Sequence, residues 1–378
     1  MDKQLFRASA LLTGTIIGAG VLGIPYVIAQ SGFLTGLLTI LILGIALLFM
    51  NLFMGEIVLR TPGNHQLPGY AEKYLGKYGK LLAIFSMLFV IYGALVAYII
   101  GEGIALSAIF GLTPLKFSVL FFVFAAIFVY IGLKAITKYE LLFASIVLFL
   151  ILLISGIAIF SGKFDASNLT TFNIAKIMIP YGVILFAFAG IASIPEMKEY
   201  LTNDRKKLKK AIILGSLIPI ASYILFSFAT IAITGINTTE IATIGLGNYL
   251  GDSMVIFGNI FAIFAMLTSF LTLALAMKEV YIYDYNIEPV NAWLLTMFIP
   301  FIIFLMGANS FIKIIGITGA IAGGLEGILI TLMYWKARKK GKRQPEYSLG
   351  KKHFLKVFGI ALIIIFILGI INELFHFI

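Results

Sequence analysis

The chain has 378 residues, of which 61% are hydrophobic and only 12% charged, against roughly 45–50% and roughly 25% in soluble domains. Too few polar groups exist to cover a surface in water, so lipid must be the solvent, and a water-soluble enzyme or binding module is excluded. The net charge of +11 does not mark a nucleic-acid binder, because the basic residues lie between apolar runs and not on one face, and the absence of cysteine removes disulfides, thiolate metal sites and thiol nucleophiles.

Eleven apolar runs succeed one another at about 5–31, 33–59, 80–110, 115–133, 139–162, 174–198, 209–236, 249–280, 289–308, 312–335 and 354–377. Each has about the 20 residues needed to cross a bilayer. Run 1 begins directly after Met1–Arg7 without a small-residue cleavage pattern, so it reads as a retained helix and not a signal peptide. Its middle is Gly14-Thr-Ile-Ile-Gly18-Ala-Gly20-Val-Leu-Gly23-Ile-Pro25, four glycines and a proline where a membrane helix should be most regular. A bilayer penalises freed backbone groups unless they are buried in protein or line a polar cavity, so the segment is a candidate ligand site. Two other readings compete. Gly14 and Gly18 form a G-x-x-x-G packing pair. Gly18, Gly20 and Gly23 match a dinucleotide fingerprint, but that requires a strand and a βαβ unit, which a chain of membrane helices does not offer.

Residues 61–79, with Pro62, Gly63, Pro68 and Gly69 before Tyr70-Ala-Glu-Lys-Tyr74, form a loop with one interfacial helix. Run 3 carries Tyr92, Tyr98 and Glu102. The tyrosines could cap a substrate or merely satisfy their hydroxyls in a packed bundle, whereas an ionisable group such as Glu102 inside a membrane helix is a functional candidate. Run 5 contains no lysine between Lys138 and Lys163. Run 6 repeats the anomaly of run 1 in Phe186-Ala-Phe-Ala-Gly190-Ile-Ala-Ser-Ile-Pro195-Glu196. Residues 237–248 form a loop without Lys or Arg. Run 8 carries Phe264-Ala265-Met266-Leu267-Thr268-Ser269, and run 10 carries Glu326 in Gly323-Gly324-Leu325-Glu326-Gly327, either a proton relay or a structural carboxylate. Lys336–Lys352 is a basic linker suited to anionic lipid. His65, His353 and His376 are scattered and form no metal constellation.

A cytoplasmic N-terminus puts all of the 28 basic residues except Lys116, Lys163, Lys176 and Lys313 on the inner side, including Lys134 and Lys138. The positive-inside rule therefore predicts that orientation, with the C-terminus outside. Runs 1 and 6 then cross in opposite directions, five runs apart. Two interrupted helices so related point to an inverted repeat with a site at the bilayer midplane. The expected architecture is an all-α integral membrane protein of about eleven transmembrane helices in one domain, 1–378. Its repeats would be about 5–162 and 174–335, with an extra helix at about 354–377.

Gly14 to Gly36, GTIIGAGVLGIPYVIAQSGFLTG, resembles the first helix of the amino acid/auxin permeases and the aromatic amino acid permeases, within the amino acid, polyamine and organocation superfamily. Phe186 to Lys210, with Pro195-Glu196-Met197-Lys198 and the basic run before Ala211, resembles the same families, and the likeness covers nearly the whole chain. It implies the fold of the sodium-coupled leucine transporter and alternating access with an amino acid as substrate. Physical chemistry agrees: the amides of Ala19 and Gly20, at the positive end of a half-helix, suit a carboxylate. Carbonyls at Phe186, Ala187 and Ala189 can accept from an ammonium, and Gly190 permits the turn. The resemblance also implies that Ile16 lines the site, that Phe186 stands where a bulky gate is placed, and that 237–248 caps the outer vestibule. Some cationic-substrate relatives place a glutamate where this chain has Ala192, which implies a neutral substrate.

By the same resemblance, sodium would be held by the hydroxyls of Thr268 and Ser269 and the carbonyls of Gly14, Ile17 and Ala265, an uncharged oxygen set suited to a hard monovalent cation. The alternative is that both hydroxyls bond back to their own helix. Proton-coupled relatives can place a run 5 lysine in this site, and this chain has none there. The leading expectation is a secondary active symporter of neutral amino acids coupled to sodium, with no other cofactor. The alternatives are proton coupling through Glu102 or Glu326 and a non-transporting amino acid sensor. A membrane enzyme is disfavoured, since H-E-x-x-H, G-x-S-x-G and P-loop patterns are missing.

Overall fold

A computed structural model describes residues 3–132, 140–201, 204–283, 285–350 and 352–377. The segment bearing Lys134 and Lys138 lies outside the described residues. Run 1 is two helices, α1 (Lys3–Ile16) and α2 (Ile24–Ser31), joined by a 3-10 turn at Ala19–Leu22, and the two parts meet at 52°. Next come α3 (Phe33–Arg60), α4 (Leu67–Leu75), α5 (Lys77–Phe110), α6 (Pro114–Ile131) and α7 (Glu140–Ile159). Run 6 is also divided, into α8 (Tyr181–Ala187) and α9 (Ile194–Tyr200). Beyond it lie α10 (Leu208–Thr234), α11 (Ala242–Leu250), α12 (Asp252–Tyr283), α13 (Pro289–Leu305), α14 (Phe311–Thr318), α15 (Gly324–Lys340) and α16 (Lys352–Phe377).

Among the described residues eight helical runs are long and apolar enough to cross a membrane, and the bent pair at the N-terminus makes a ninth. Run 5 is α7, 20 residues long, and run 9 forms the shorter apolar helix Pro289–Leu305. The short helix expected in 61–79 is α4. The loop 237–248 is more ordered than its polarity suggests, since α11 occupies most of it and α12 starts only at Asp252. Run 10 is not one uniform helix: a π turn at Gly319–Gly323 separates α14 from α15. Pro25 and Pro195 each sit in the first turn of the second half-helix, where a missing N–H costs no helical bond.

Tight packing fixes where the breaks meet. Gly215 lets α10 approach α1, for a methyl there would lie 2.9 Å from Leu12 Cβ. Gly182 and Gly319 bring α8 against the π turn, where a methyl on Gly319 would overlap the Gly182 carbonyl oxygen. At the end of α3, Glu56 is fully buried. It accepts from Arg60 at 2.7 and 2.9 Å, the Leu349 amide at 2.8 Å, the Ser348 hydroxyl at 3.0 Å and the Tyr334 hydroxyl at 3.3 Å. Tyr347 donates to the Leu52 carbonyl at 2.8 Å. The basic linker is thus folded onto α3 and α15, and a buried carboxylate is tolerated because donors surround it.

Candidate functional site

In run 1 the helical ladder ends with the Ile17 amide donating to Thr13 at 2.8 Å. Gly18 then adopts an extended conformation, φ −125° and ψ −158°, its amide turning back to the Ile16 carbonyl at 3.0 Å, and the next backbone bond is from Val21 to the Gly18 carbonyl at 3.3 Å. Between these points the amides of Ala19 and Gly20 donate to no backbone carbonyl among the described residues. They open the second half-helix, where the peptide dipoles are positive. In run 6 the ladder ends with Phe188 donating to Ile184 at 3.0 Å and Ala189 to Phe186 at 3.2 Å. Gly190 turns the chain, and Ser193 caps its carbonyl through both its amide and its hydroxyl, at 3.2 and 2.8 Å.

The two breaks touch. A methyl on Gly20 would lie 2.8 Å from Ala187 Cα and 3.4 Å from the Phe186 ring, and one on Gly190 would lie 2.6 Å from Ile16 Cγ1. The structure therefore brings Ile16, Gly20, Phe186, Ala187 and Gly190 into one cluster, with Ala19 and Ala189 beside it in sequence. Tyr223 of α10 completes the junction: its hydroxyl is 2.7 Å from the Ile16 carbonyl oxygen and 3.0 Å from that of Ala187. One phenol proton thus serves carbonyls from both broken helices. Sequence reasoning missed Tyr223, since a lone tyrosine in a long apolar helix carries no signal of what lies opposite. Ile16, Ala19, Ala187 and Tyr223 are at most 3% exposed, whereas Phe186 is half-buried and Ala189 is exposed, so the junction is closed around Tyr223 and open beside Ala189.

The expected cation ligands are only partly assembled. Ser269 faces the break, with its Oγ 3.3 Å from where a methyl on Gly18 would stand, and the Tyr98 hydroxyl lies near it. Thr268 instead donates to its own helix, to Phe264 at 2.8 Å and Ala265 at 3.3 Å, which is the back-bonded alternative. Gly14 is a packing glycine, its position for a methyl 2.9 Å from Ala144 Cβ. Ile17 is buried, and no described hydrogen bond joins it or Gly14 to Thr268.

The two membrane carboxylates differ in setting. Glu102 is fully buried, and neither oxygen meets a donor in good geometry among the described residues; its side faces the main chain at Leu267, beside Thr268. Glu326 comes just after the π turn and accepts from Ser86 at 3.3 Å, while Ser86 also reaches the Ala322 carbonyl at 3.0 Å. Tyr92 pairs with Tyr281 at 2.6 Å and reaches the Leu295 carbonyl at 3.2 Å, so it ties α5 to α12 and α13. At the opposite end from Glu56, Glu240 accepts from Ser310 at 2.9 Å and from the Ile312 amide at 3.2 Å, fastening the segment before α11 to the start of α14.

Residues 1–376 match the model of the tryptophan/tyrosine permease family. The chain is 27% identical over 370 residues to glutamine transporter 2 of Aliivibrio fischeri, covering 92% of this chain and 93% of that one. It is 28% identical over 400 residues to tyrosine-specific transport system 1 of Haemophilus influenzae, covering 98% and 96%. Among solved structures, MhsT in complex with L-phenylalanine aligns with a TM-score of 0.66 at 15% identity, covering 99% of this chain and 98% of that one. A manganese transporter mutant of Eremococcus coleocola aligns at 0.64 and 12%, covering 97% and 85%.

Proposed function

The chain belongs to the tryptophan/tyrosine permease family, and from that premise we propose that it is a secondary active symporter of neutral amino acids, aromatic ones foremost. Its all-helical architecture is the sodium-coupled leucine transporter fold, and it is a multi-pass membrane protein that transports amino acids and is not an enzyme. The observation that carries the finer reading is the contact of the two helix breaks at Gly20, Ala187, Ile16 and Gly190. There a carboxylate would take the amides of Ala19 and Gly20, and an ammonium would take carbonyls among Phe186, Ala187 and Ala189. The unequal exposure of this junction supports alternating access, since Ile16, Ala19 and Ala187 are buried while Ala189 is exposed. In this reading the halves are inverted repeats, 5–162 and 174–335, and the N-terminus is cytoplasmic. The aromatic preference draws on the tyrosine transporter among the relatives and the phenylalanine complex among the neighbours.

Sodium is the proposed coupling ion, with Ser269 and the main chain of Gly14, Ile17 and Ala265 as ligands, joined by Thr268 once its hydroxyl leaves its own helix. A proton-coupled reading has one observation in its favour: burying a charge without partners is costly, so Glu102 is where a proton would be held, whereas Glu326 already has Ser86. Uptake of tyrosine, tryptophan, phenylalanine and glutamine into proteoliposomes, under a sodium gradient and separately under a pH gradient, tests both. Accumulation driven by sodium, and lost in Ser269→Ala, is the expected result. Accumulation driven by pH alone and lost in Glu102→Gln assigns the proton, and binding without flux would identify a sensor.

A further inference from the structure

We infer that the wedge between α15 and α16 is a binding site for one anionic phospholipid, with its phosphate at the basic rim and an acyl chain along α16. The two helices pack closely for most of their length. A methyl on Gly327 would overlap the Phe366 ring, and one on Gly359 would lie 2.8 Å from Trp335 Cζ2. Beyond Trp335 they part, leaving a cavity of about 280 Å3 lined by Tyr334, Trp335, Arg338, Lys339, Leu355 and Lys356. Three of those six residues are cations, and the rest are aromatic or aliphatic.

The cations are not consumed by protein partners. Arg338 is partly engaged, with Nη1 on the Tyr334 hydroxyl at 3.2 Å, Nη2 on the Gly350 carbonyl at 3.3 Å and Nε 3.7 Å from Glu56. Lys339 and Lys356 are exposed and pair with no acidic group among the described residues. The indole N–H of Trp335 is buried and donates to no described acceptor. An apolar slot with two spare ammonium groups at its mouth, and in its wall an indole whose buried N–H has no partner among the described residues, is complementary to a phosphodiester on a hydrocarbon chain. The flank agrees, for Phe354 and Val357 are 62% and 55% exposed beside it, the side that lipid covers. Basic pockets between helices at a membrane surface attract anionic headgroups, tryptophan favours that depth, and lysine stems lie along apolar surface with their charge at the headgroup level. A zwitterionic choline headgroup would bring its own cation against three others.

The test is native mass spectrometry of the full chain in mild detergent, titrated with an equimolar mixture of phosphatidylglycerol and phosphatidylcholine. One tightly retained phosphatidylglycerol is expected. In Lys339→Gln/Lys356→Gln its retention should fall roughly tenfold, whereas the equal charge loss in Lys209→Gln/Lys210→Gln should leave it unchanged. Should the first variant fold poorly, Trp335→Phe keeps the ring against Gly359 and removes only the donor, and reduced retention is again expected. Equal loss in both lysine pairs, undiminished retention in the Lys339/Lys356 and Trp335 variants, or displacement of the lipid by millimolar inorganic phosphate would each overturn the assignment.

Discussion

Gly20 and Tyr223 act at one junction in opposite ways, the first by contributing no side-chain atom and the second by contributing a single proton. Gly20→Ala places a methyl 2.8 Å from the Ala187 backbone, which cannot rotate away. We expect uptake to fall at least about tenfold while the protein still inserts and purifies, since a shift of order 1 Å at a binding centre has effects of this size. Tyr223→Phe keeps the ring beside Phe188 and removes the bonds to Ile16 and Ala187. A loss of about 1–3 kcal/mol is expected from buried carbonyls left unpaired, read as a lower melting temperature, together with a raised KM for uptake. The break around Gly20 was legible in the sequence because four glycines and a proline within one apolar run weaken its helix. Tyr223 was not, because its role exists only when three separate helices converge.

Broken helices were legible for a related reason, since Pro25 and Pro195 each need a new first turn and the glycines before them supply it. The π turn of run 10 was not. It lies against α8, where a methyl on Gly319 would overlap the Gly182 carbonyl oxygen, a contact that local sequence does not encode. Nor did the pattern reveal that Thr268 would bond within α12, because a hydroxyl one turn above a carbonyl fits both readings. The same limit hid Glu240, whose carboxylate sits at the start of α14, on Ser310 and the Ile312 amide. A carboxylate there is favoured by the exposed amides and the helix dipole. Glu240→Ala should cost about 1 kcal/mol, seen as a lower melting temperature. If the segment around α11 moves during transport, the uptake rate should change with it, measurable as a split between the two readouts.

Across the whole molecule, hydropathy is informative because lipid demands length and apolarity of every crossing helix, and eight helices with the bent N-terminal pair meet that demand among the described residues. The orientation offers a direct check, because the chain has no cysteine. Lys206→Cys should be protected from an impermeant maleimide in right-side-out vesicles, and Ile236→Cys should be labelled. The reverse pattern would invert the topology. Long-range polar contacts lay beyond the reach of the sequence, and the cluster around Glu56 is one of them. During synthesis α3 leaves the ribosome nearly 300 residues before Ser348 and Leu349 exist, so until then Glu56 has Arg60 and, late on, Tyr334 as donors. The loop before α16 therefore completes the donor set of Glu56. Chains stopped after residue 340 and after residue 351 both lack α16, yet only the longer one carries the missing donors. It should accumulate to a higher level in membranes, by pulse-chase, than the shorter one.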